Sequence, residues 1–277
     1  MRGRGMDGNG DQGPGEHLLP AQRHLQLAEL LAAADAVALD DLARRFGVST
    51  QTVRRDLAML ERQGLVRRTY GGAVTRAALD LSEPAFVARE SVHAAEKRLI
   101  AQAALGMLAR GDSLFLDAST TTLALARLLP DDWAGDVVAT SLPVATEVAR
   151  RPGVRLVLVG GEFRHSSRSF SGPLAQELLS RLYVRTACIS ARGIHPQHGL
   201  SEAHAGEAAL KRIILGHAAR VLVLADSSKL GITATHGVGP VDVIDTLITD
   251  GQADPGVLEA LRGSGVRVLL GGTAPAP

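Results

Sequence analysis

Two stretches of this 277-residue chain carry residues whose types and spacing could do chemistry. The first runs through Ser49, Thr50, Gln51, Thr52, Arg54 and Arg55. An arginine fork fits guanine, a glutamine amide fits adenine, and a hydroxyl bonds either a base edge or a phosphate. Gly47 permits a tight turn before them, with Asp40 placed to cap a short helix ahead of it and Ser49 to cap the next. Val53, Leu57 and Leu60 lie four and three apart and predict one buried face on that next helix, leaving the armed face outward. A helix equipped this way at its N-terminus suits the major groove. Leu65 to Val74 then reads as two short strands around a glycine turn, a wing that sets Arg67, Arg68 and Tyr70 beside a DNA backbone. Between Arg44 and Arg76 eight arginines face only Asp56 and Glu61, a compact basic footprint inside a chain of net charge +1. A solvated charged helix face, or a three-helix protein-interaction module, fits the same pattern.

The second stretch is Asp117-Ala118-Ser119-Thr120-Thr121-Thr122. Four consecutive hydroxyls at the start of a helix, beside free N–H groups and the positive end of the helix dipole, make a cradle for an anion. A plain polar loop would need one capping hydroxyl. Three more strand ends carry related chemistry: Thr140-Ser141 before a proline-started helix, Gly160-Gly161 where a ligand could approach the backbone, and Asp226-Ser227-Ser228-Lys229, which offers a point charge for phosphate. Glu207 and Lys211, four apart on a helix expected over 206–217, read as a surface ion pair.

The elements that must hold these groups change character near residue 76. Before it the apolar spacing is helical (Leu25, Leu27, Leu30 and Leu31; Leu42, Ala43 and Phe46). After Glu96 come short apolar runs, each followed by a turn and a helix: 114–116, 137–139, 154–159, 186–189, 221–224, 243–248 and 266–269. Strands alternating with helices predict a parallel sheet, hence an α/β fold behind a small winged helix-turn-helix. The expected division is a disordered leader over 1–17, a DNA-binding domain over 18–76, a linker with some helix over 77–95, a sensor domain over 96–270 and a frayed tail over 271–277. Hydrophobic residues are 45% of the chain but aromatics only 3%, so Val, Leu, Ala and Ile must fill the core. One cysteine, Cys188, excludes an internal disulfide and reads as a small core residue. No apolar run reaches the roughly 18–20 residues of a membrane span, and residues 1–16 lack an apolar h-region, which together imply a cytoplasmic protein.

The words Leu-Ala-Arg-Arg-Phe-Gly-Val-Ser-Thr-Gln-Thr-Val-Arg-Arg-Asp-Leu and Gly-Leu-Val-Arg-Arg-Thr-Tyr-Gly-Gly-Ala-Val closely resemble the helix-turn-helix and wing of the DeoR family of bacterial transcriptional regulators. Tyr70 stands where that family more often has histidine. The likeness continues through Glu96-Lys97-Arg98, Leu-Asp-Ala-Ser-Thr-Thr-Thr, Thr-Ser-Leu, Gly-Gly-Glu-Phe-Arg, Ser-Phe-Ser-Gly and Ala-Asp-Ser-Ser-Lys-Leu-Gly, about residues 20–250 in all. It implies that Ser49 to Arg55 read double-stranded operator DNA. It also implies a Rossmann-like sensor domain similar to ribose-phosphate isomerases and CoA transferases, with a phosphorylated sugar as effector. Asp117, Ser119, Thr120, Thr121, Thr122 and Lys229 are implicated most strongly in holding that sugar. Thr140, Ser141, Gly160, Gly161, Glu207 and Lys211 follow. A homodimer or homotetramer acting as a repressor is the expected form.

Arg185, Ser190 and His195 depart from the family's usual acid, glycine and acid, which bears on the non-phosphate end of the ligand or on a subunit interface. His195, His198, His204 and Glu202 invite a metal reading, but their spacing suits no common structural site, so neither metal nor cofactor is expected. Two other functions fit the same residues: a sugar-phosphate isomerase using Asp117 or Glu207 as base, and an activator instead of a repressor.

Overall fold

Apolar side chains at spacings of three and four turn Leu39–Phe46 (α1) and Thr50–Arg62 (α2) into amphipathic helices. They belong to the first of two units, divided between Leu81 and Ser82, of the computed structural model, which describes residues 23, 27, 36–62, 66–69, 72–75 and 86–272. Leu42, Val53 and Leu57 close a small core with the helical Leu27. Gly47 supplies the left-handed turn between the helices at φ +61°, and Ser49 Oγ accepts from the N–H of Thr52 at 3.1 Å, capping α2. Asp40 lies inside α1, which starts one residue earlier, and so does not cap it from outside. Asp56, on the buried face of α2, accepts from Arg23 Nε at 2.7 Å and Nη2 at 3.3 Å. The expected wing is Val66–Thr69 (β2) paired antiparallel with Gly72–Thr75 (β3). A third strand, Ala36–Ala38 (β1), adds to β3; its three residues are too few to show a period.

The second unit is built on a parallel sheet of seven strands. They are Leu114–Leu116 (β4), Gly135–Ala139 (β5), Val154–Leu158 (β6), Val184–Ile189 (β9), Ala218–Leu224 (β12), Thr246–Thr249 (β14) and Arg267–Leu270 (β15), in the order β15-β14-β12-β9-β4-β5-β6. Each expected apolar run contributes one strand. The run over 243–248 is shortened, because Val241–Val243 forms a single 3₁₀ turn before the strand begins at Thr246.

Successive residues of these strands enter different cores. Phe115, Val138, Ala187, Ile189, Val223 and Leu247 pack with Pro173–Leu179 (α7), Ala205–Leu215 (α8) and Pro255–Gly263 (α9). Leu114, Leu116, Val137, Ala139, Cys188, Leu222 and Ile248 pack with Ala94–Leu105 (α4), Thr120–Leu128 (α5) and Leu142–Val148 (α6). Burial on both faces is why the strands read as unbroken apolar runs instead of alternating ones. Burial also pushes the Cys188 thiol up to about 12, which keeps it an unreactive core group.

Two small antiparallel additions gave no periodic signal because their strands are short and polar: the hairpin Glu162–Arg164 (β7) with Ser169–Ser171 (β8), and Gly193–His195 (β10), Gly199–Glu202 (β11) and His236–Gly239 (β13). The stretch read as a linker over 77–95 belongs from Phe86 onward to the second unit. Phe86–Ser91 (α3) buries Phe86, whose N–H donates to the Ser166 carbonyl at 2.8 Å.

Strand order reverses between β4 and β9: β5 and β6 extend one way from β4, and the later strands extend the other. Such a switch point opens a crevice beyond the carboxyl ends of the two strands. The helix that leaves β4 is held at its far end by Arg151. That buried guanidinium donates to the Leu129 carbonyl at 2.6 and 2.8 Å and to the Glu147 carbonyl at 2.8 Å, satisfying the C-terminal ends of α5 and α6 together. Arg151→Met is expected to lower the unfolding free energy by about 2–4 kcal/mol in urea titrations, since its charge-assisted bonds to the Leu129 and Glu147 carbonyls are lost.

Candidate functional site

On α2 the side chains separate cleanly by face. Val53, Asp56 and Leu57 are buried, whereas Thr50, Gln51, Arg54 and Arg55 are exposed along one arc of the helix. Ser49 and Thr52 bond each other at 2.9 Å and form the cap, so their hydroxyls are partly committed. Arg67 and Arg68 lie on β2 opposite Val74 and Ala73. Tyr70 lies outside the described residues.

In the second unit a cavity of about 190 Å³ opens at the switch point. Its base is a charged knot. Asp117, directly after β4, accepts from the N–H of Ser119 at 3.1 Å, the Thr122 hydroxyl at 2.9 Å and the N–H of Ser190 at 2.8 Å. Lys211 of α8 reaches Asp117 Oδ2 at 2.8 Å, donates to the Ser190 carbonyl at 2.7 Å and bonds Glu202 Oε1. Burial alone would lower the Lys211 pKa, but the carboxylates of Asp117, Glu202 and Glu207 outweigh it and hold the ammonium charged. Three carboxylates around one ammonium leave negative charge in excess. Glu202 absorbs it: burial, against the pull of Lys211 and reinforced by Glu207, pushes its carboxyl up to about 7.

Cations gather around the same cavity. Arg89 of α3, Lys97 of α4, Arg192 and Lys229 all line the cavity, with Asp226 among them. Lys97 donates to the Val92 carbonyl at 2.5 Å and to the Arg89 carbonyl, stitching α3 to α4. Burial lowers the pKa of Lys97 and of Lys229; Asp226 opposes this in both, while neighbouring cations reinforce it. The start of α5 also lines it. Ser119 caps the helix by accepting from Thr122 at 3.0 Å, and Ser119, Thr120 and Thr121 face the cavity.

Of the residues singled out in the sequence, Ser119, Thr120, Thr121, Glu207, Lys211 and Lys229 line this cavity. Asp117 and Thr122 lie beneath it and hold its floor. Thr140, Ser141, Gly160 and Gly161 are not among its lining residues. Thr140 faces a smaller adjoining cavity with Asp117, Ser169 and Glu207, and Ser141 pairs in bridge fashion with Ser169. A Cβ on Gly161 would lie 2.5 Å from the Ser171 carbonyl, so its freedom serves the β8 backbone, not a ligand. Glu207 and Lys211 are buried, not a surface pair, and each bonds a different partner: Glu207 accepts from Ser169 Oγ at 3.1 Å and faces Arg164 at 3.7 Å.

Arg89, Lys97 and Arg192 carry no site reading in the sequence, and Glu202 enters there only in the metal reading with His195, His198 and His204. Lys97 carried a signal, a charge on the buried side of its helix with Ile100, Ala101 and Ala104. The three departures also separate. Arg185 pairs with Asp112 at 3.1 Å at the amino end of β9, far from the strand ends that form the cavity. Ser190 lines it, and the His195 ring stacks on His198 at 4.6 Å. Among the described residues no three His, Cys, Asp or Glu side chains gather as a metal site requires.

Residues 23–77 match the DeoR-like helix-turn-helix domain, and residues 92–251 match the DeoR C terminal sensor domain. The chain is 33% identical over 229 residues to the transcriptional repressor AccR of Agrobacterium fabrum, covering 82% of this chain and 88% of that protein. It is 34% identical over 210 residues to the L-fucose operon activator of Haemophilus influenzae, covering 76% and 84%. Among solved structures, ribose 5-phosphate isomerase A of Methanocaldococcus jannaschii aligns over 50% of this chain and 54% of that one, at 17% identity and a TM-score of 0.37.

The raised Glu202 carboxyl has a consequence for stability. Between its ordinary value of 4.5 and about 7 the folded chain binds this proton and the unfolded chain does not. Stability from this group therefore falls as pH rises through that window. Glu202→Gln is expected to flatten that slope, read as urea midpoints collected across the window for both proteins.

Proposed function

Since the chain belongs to the DeoR family of transcriptional regulators, we propose that it represses a carbohydrate-metabolism operon and leaves its operator when a phosphorylated sugar fills the cavity of the second unit. The observation that carries this reading is the meeting of four cations, Arg89, Lys97, Arg192 and Lys229, with the hydroxyl-bearing start of α5 around one cavity. Buried cations with lowered pKa values gain from a dianion, and a helix N-terminus adds N–H donors and a positive dipole end. Thr50, Gln51, Arg54 and Arg55 read base edges, with Arg67, Arg68 and Tyr70 of the wing on the phosphates.

Release needs the sugar phosphate to prefer a conformation that binds the operator less well, and operator DNA then weakens sugar binding by the same factor. Lys97 is placed to transmit that preference. It donates to the Arg89 carbonyl of α3 and to the Val92 carbonyl just after it. Since α3 is the first described element of the second unit, a phosphate that draws on Lys97 acts where the chain enters that unit. A two-fold homodimer or homotetramer on a pseudo-palindrome is the matching assembly. Among the described residues no helix is long and apolar enough to cross a membrane, in keeping with work in the cytoplasm.

A sensor is favoured over an isomerase by the match to the DeoR C terminal sensor domain. Asp117 spends both carboxylate oxygens on protein donors, which leaves Glu207 as the candidate base, and turnover of a sugar phosphate by the full chain would support the isomerase instead. A repressor is favoured over an activator by analogy with AccR; the fucose activator shows that the family name does not fix the sign. A reporter in a deletion strain separates the two, derepression supporting repression and lost expression supporting activation.

Arg54→Ala and Arg55→Ala are each expected to weaken operator binding by about 1–3 kcal/mol, and loss of a phosphate contact to reduce the salt slope by about one. Anisotropy titrations on DNA from upstream of the gene check this; wild-type binding by both variants would remove α2 from the reading role. Lys229→Ala is expected to bind that DNA normally yet stay bound when sugar phosphate is added.

A further inference from the structure

The cavity has an acidic wall that a phosphate does not need. Glu202 and Glu207 both line it, each more than nine-tenths buried, 5% and 8% exposed. Glu202 gives Oε1 to Lys211, and Glu207 gives Oε1 to Ser169 and Arg164. Among the described residues neither Oε2 atom has a hydrogen-bond donor from the protein. An ionised carboxylate oxygen is acceptor-only, and these two open into the cavity instead of being sealed without a partner, so a ligand that displaces water from them must bring donors of its own. Lys211 cannot serve both glutamates more fully, because its three protons already go to Asp117, the Ser190 carbonyl and Glu202.

Building on the phosphate reading above, we propose that Glu202 and Glu207 select the other end of the effector: a sugar monophosphate whose far end donates hydrogen bonds through hydroxyls or an amine, to the exclusion of one bearing a second anionic group. The physics is asymmetric. A hydroxyl gives the open oxygens the donors they lack. A carboxylate or second phosphate meets Glu207 and, at pH above about 7, an ionised Glu202 as well, with the neighbouring ammonium already taken, and like charges set together there are strongly disfavoured. Ser169 and Lys211 fix where the two carboxyl groups sit, so the acidic wall is in place before any ligand arrives.

The test uses the full chain and matched probes in calorimetric titrations. Inorganic phosphate reports the cationic wall alone. Fructose 6-phosphate against fructose 1,6-bisphosphate adds a second phosphate at the far end of the same sugar; glucose 6-phosphate against 6-phosphogluconate adds a carboxylate there while opening the ring. The expected result is that at least one monophosphate binds more tightly than inorganic phosphate and roughly tenfold or more tighter than its doubly anionic partner. In Glu207→Gln, which keeps the shape and removes the charge, that ratio is expected to shrink to about threefold or less; Glu202→Gln provides the same reading should Glu207→Gln fail to fold. Equal or tighter binding of the doubly anionic probes, monophosphates no tighter than inorganic phosphate, or a ratio unchanged in the folded variants each overturns this inference and leaves the phosphate site standing. Absence of binding by inorganic phosphate and by every sugar phosphate overturns the phosphate reading itself.

Discussion

A single buried ammonium organises the second unit. Lys211 is 6% exposed, and a charge taken so far from water is tolerated only when good partners surround it. Those partners come from separate parts of the chain: Asp117 after β4, the Ser190 carbonyl after β9 and Glu202 at the end of β11. Burying Lys211 therefore means bringing three strand ends to one point, which is also where the sheet reverses its order. Asp117 carries the constraint onward. Its two oxygens take the Ser119 and Ser190 N–H groups and the Thr122 hydroxyl, and this fixes the direction in which α5 leaves the sheet. The hydroxyl cradle is thus held from below by carboxylate and lysine, and from its far end by Arg151.

The cavity above this knot carries both signs of charge. Asp117, Glu202 and Glu207 act on Lys211, while Asp226 acts on Lys97 and Lys229, with Arg89 and Arg192 lining the same cavity. Neither cluster is neutral by itself. Burial, reinforced by Glu207, lifts the Glu202 carboxyl, and burial, reinforced by neighbouring cations, lowers Lys97 and Lys229. A cavity lined by charges of both signs orients a small ligand before it chooses among ligands, because a phosphate is favoured only beside the cations.

Helix α2 follows a simpler rule. Its buried face contains one charge, Asp56, answered by the Arg23 fork at 2.7 and 3.3 Å. Arg54 and Arg55 of its first turns lie on the outward arc, and the local cap at Ser49 satisfies the Thr52 N–H at the helix start.

Local patterns determined much of this protein. Helical spacing around Leu42, Val53 and Leu57, the glycine at 47 and the serine at 49 sufficed to place α1, the turn and α2, since caps and amphipathic faces are made by residues a few positions apart. The seven parallel strands were legible for a related reason: burial on both faces demands an unbroken apolar run. Only tertiary structure decided the rest. Glu207 and Lys211 look like a helix-surface pair in sequence, yet packing turns both inward to different partners. Arg89, Lys97, Arg192 and Glu202 come from α3, α4, a loop after β9 and the end of β11, and no spacing along the chain relates them. Thr140, Ser141 and the two glycines sit at strand ends of the right chemical kind, but on the β5–β6 side of the reversal. Strand order is set by which faces must be covered across the whole sheet, and a residue's distance from the cavity depends on that order, not on its neighbours in sequence.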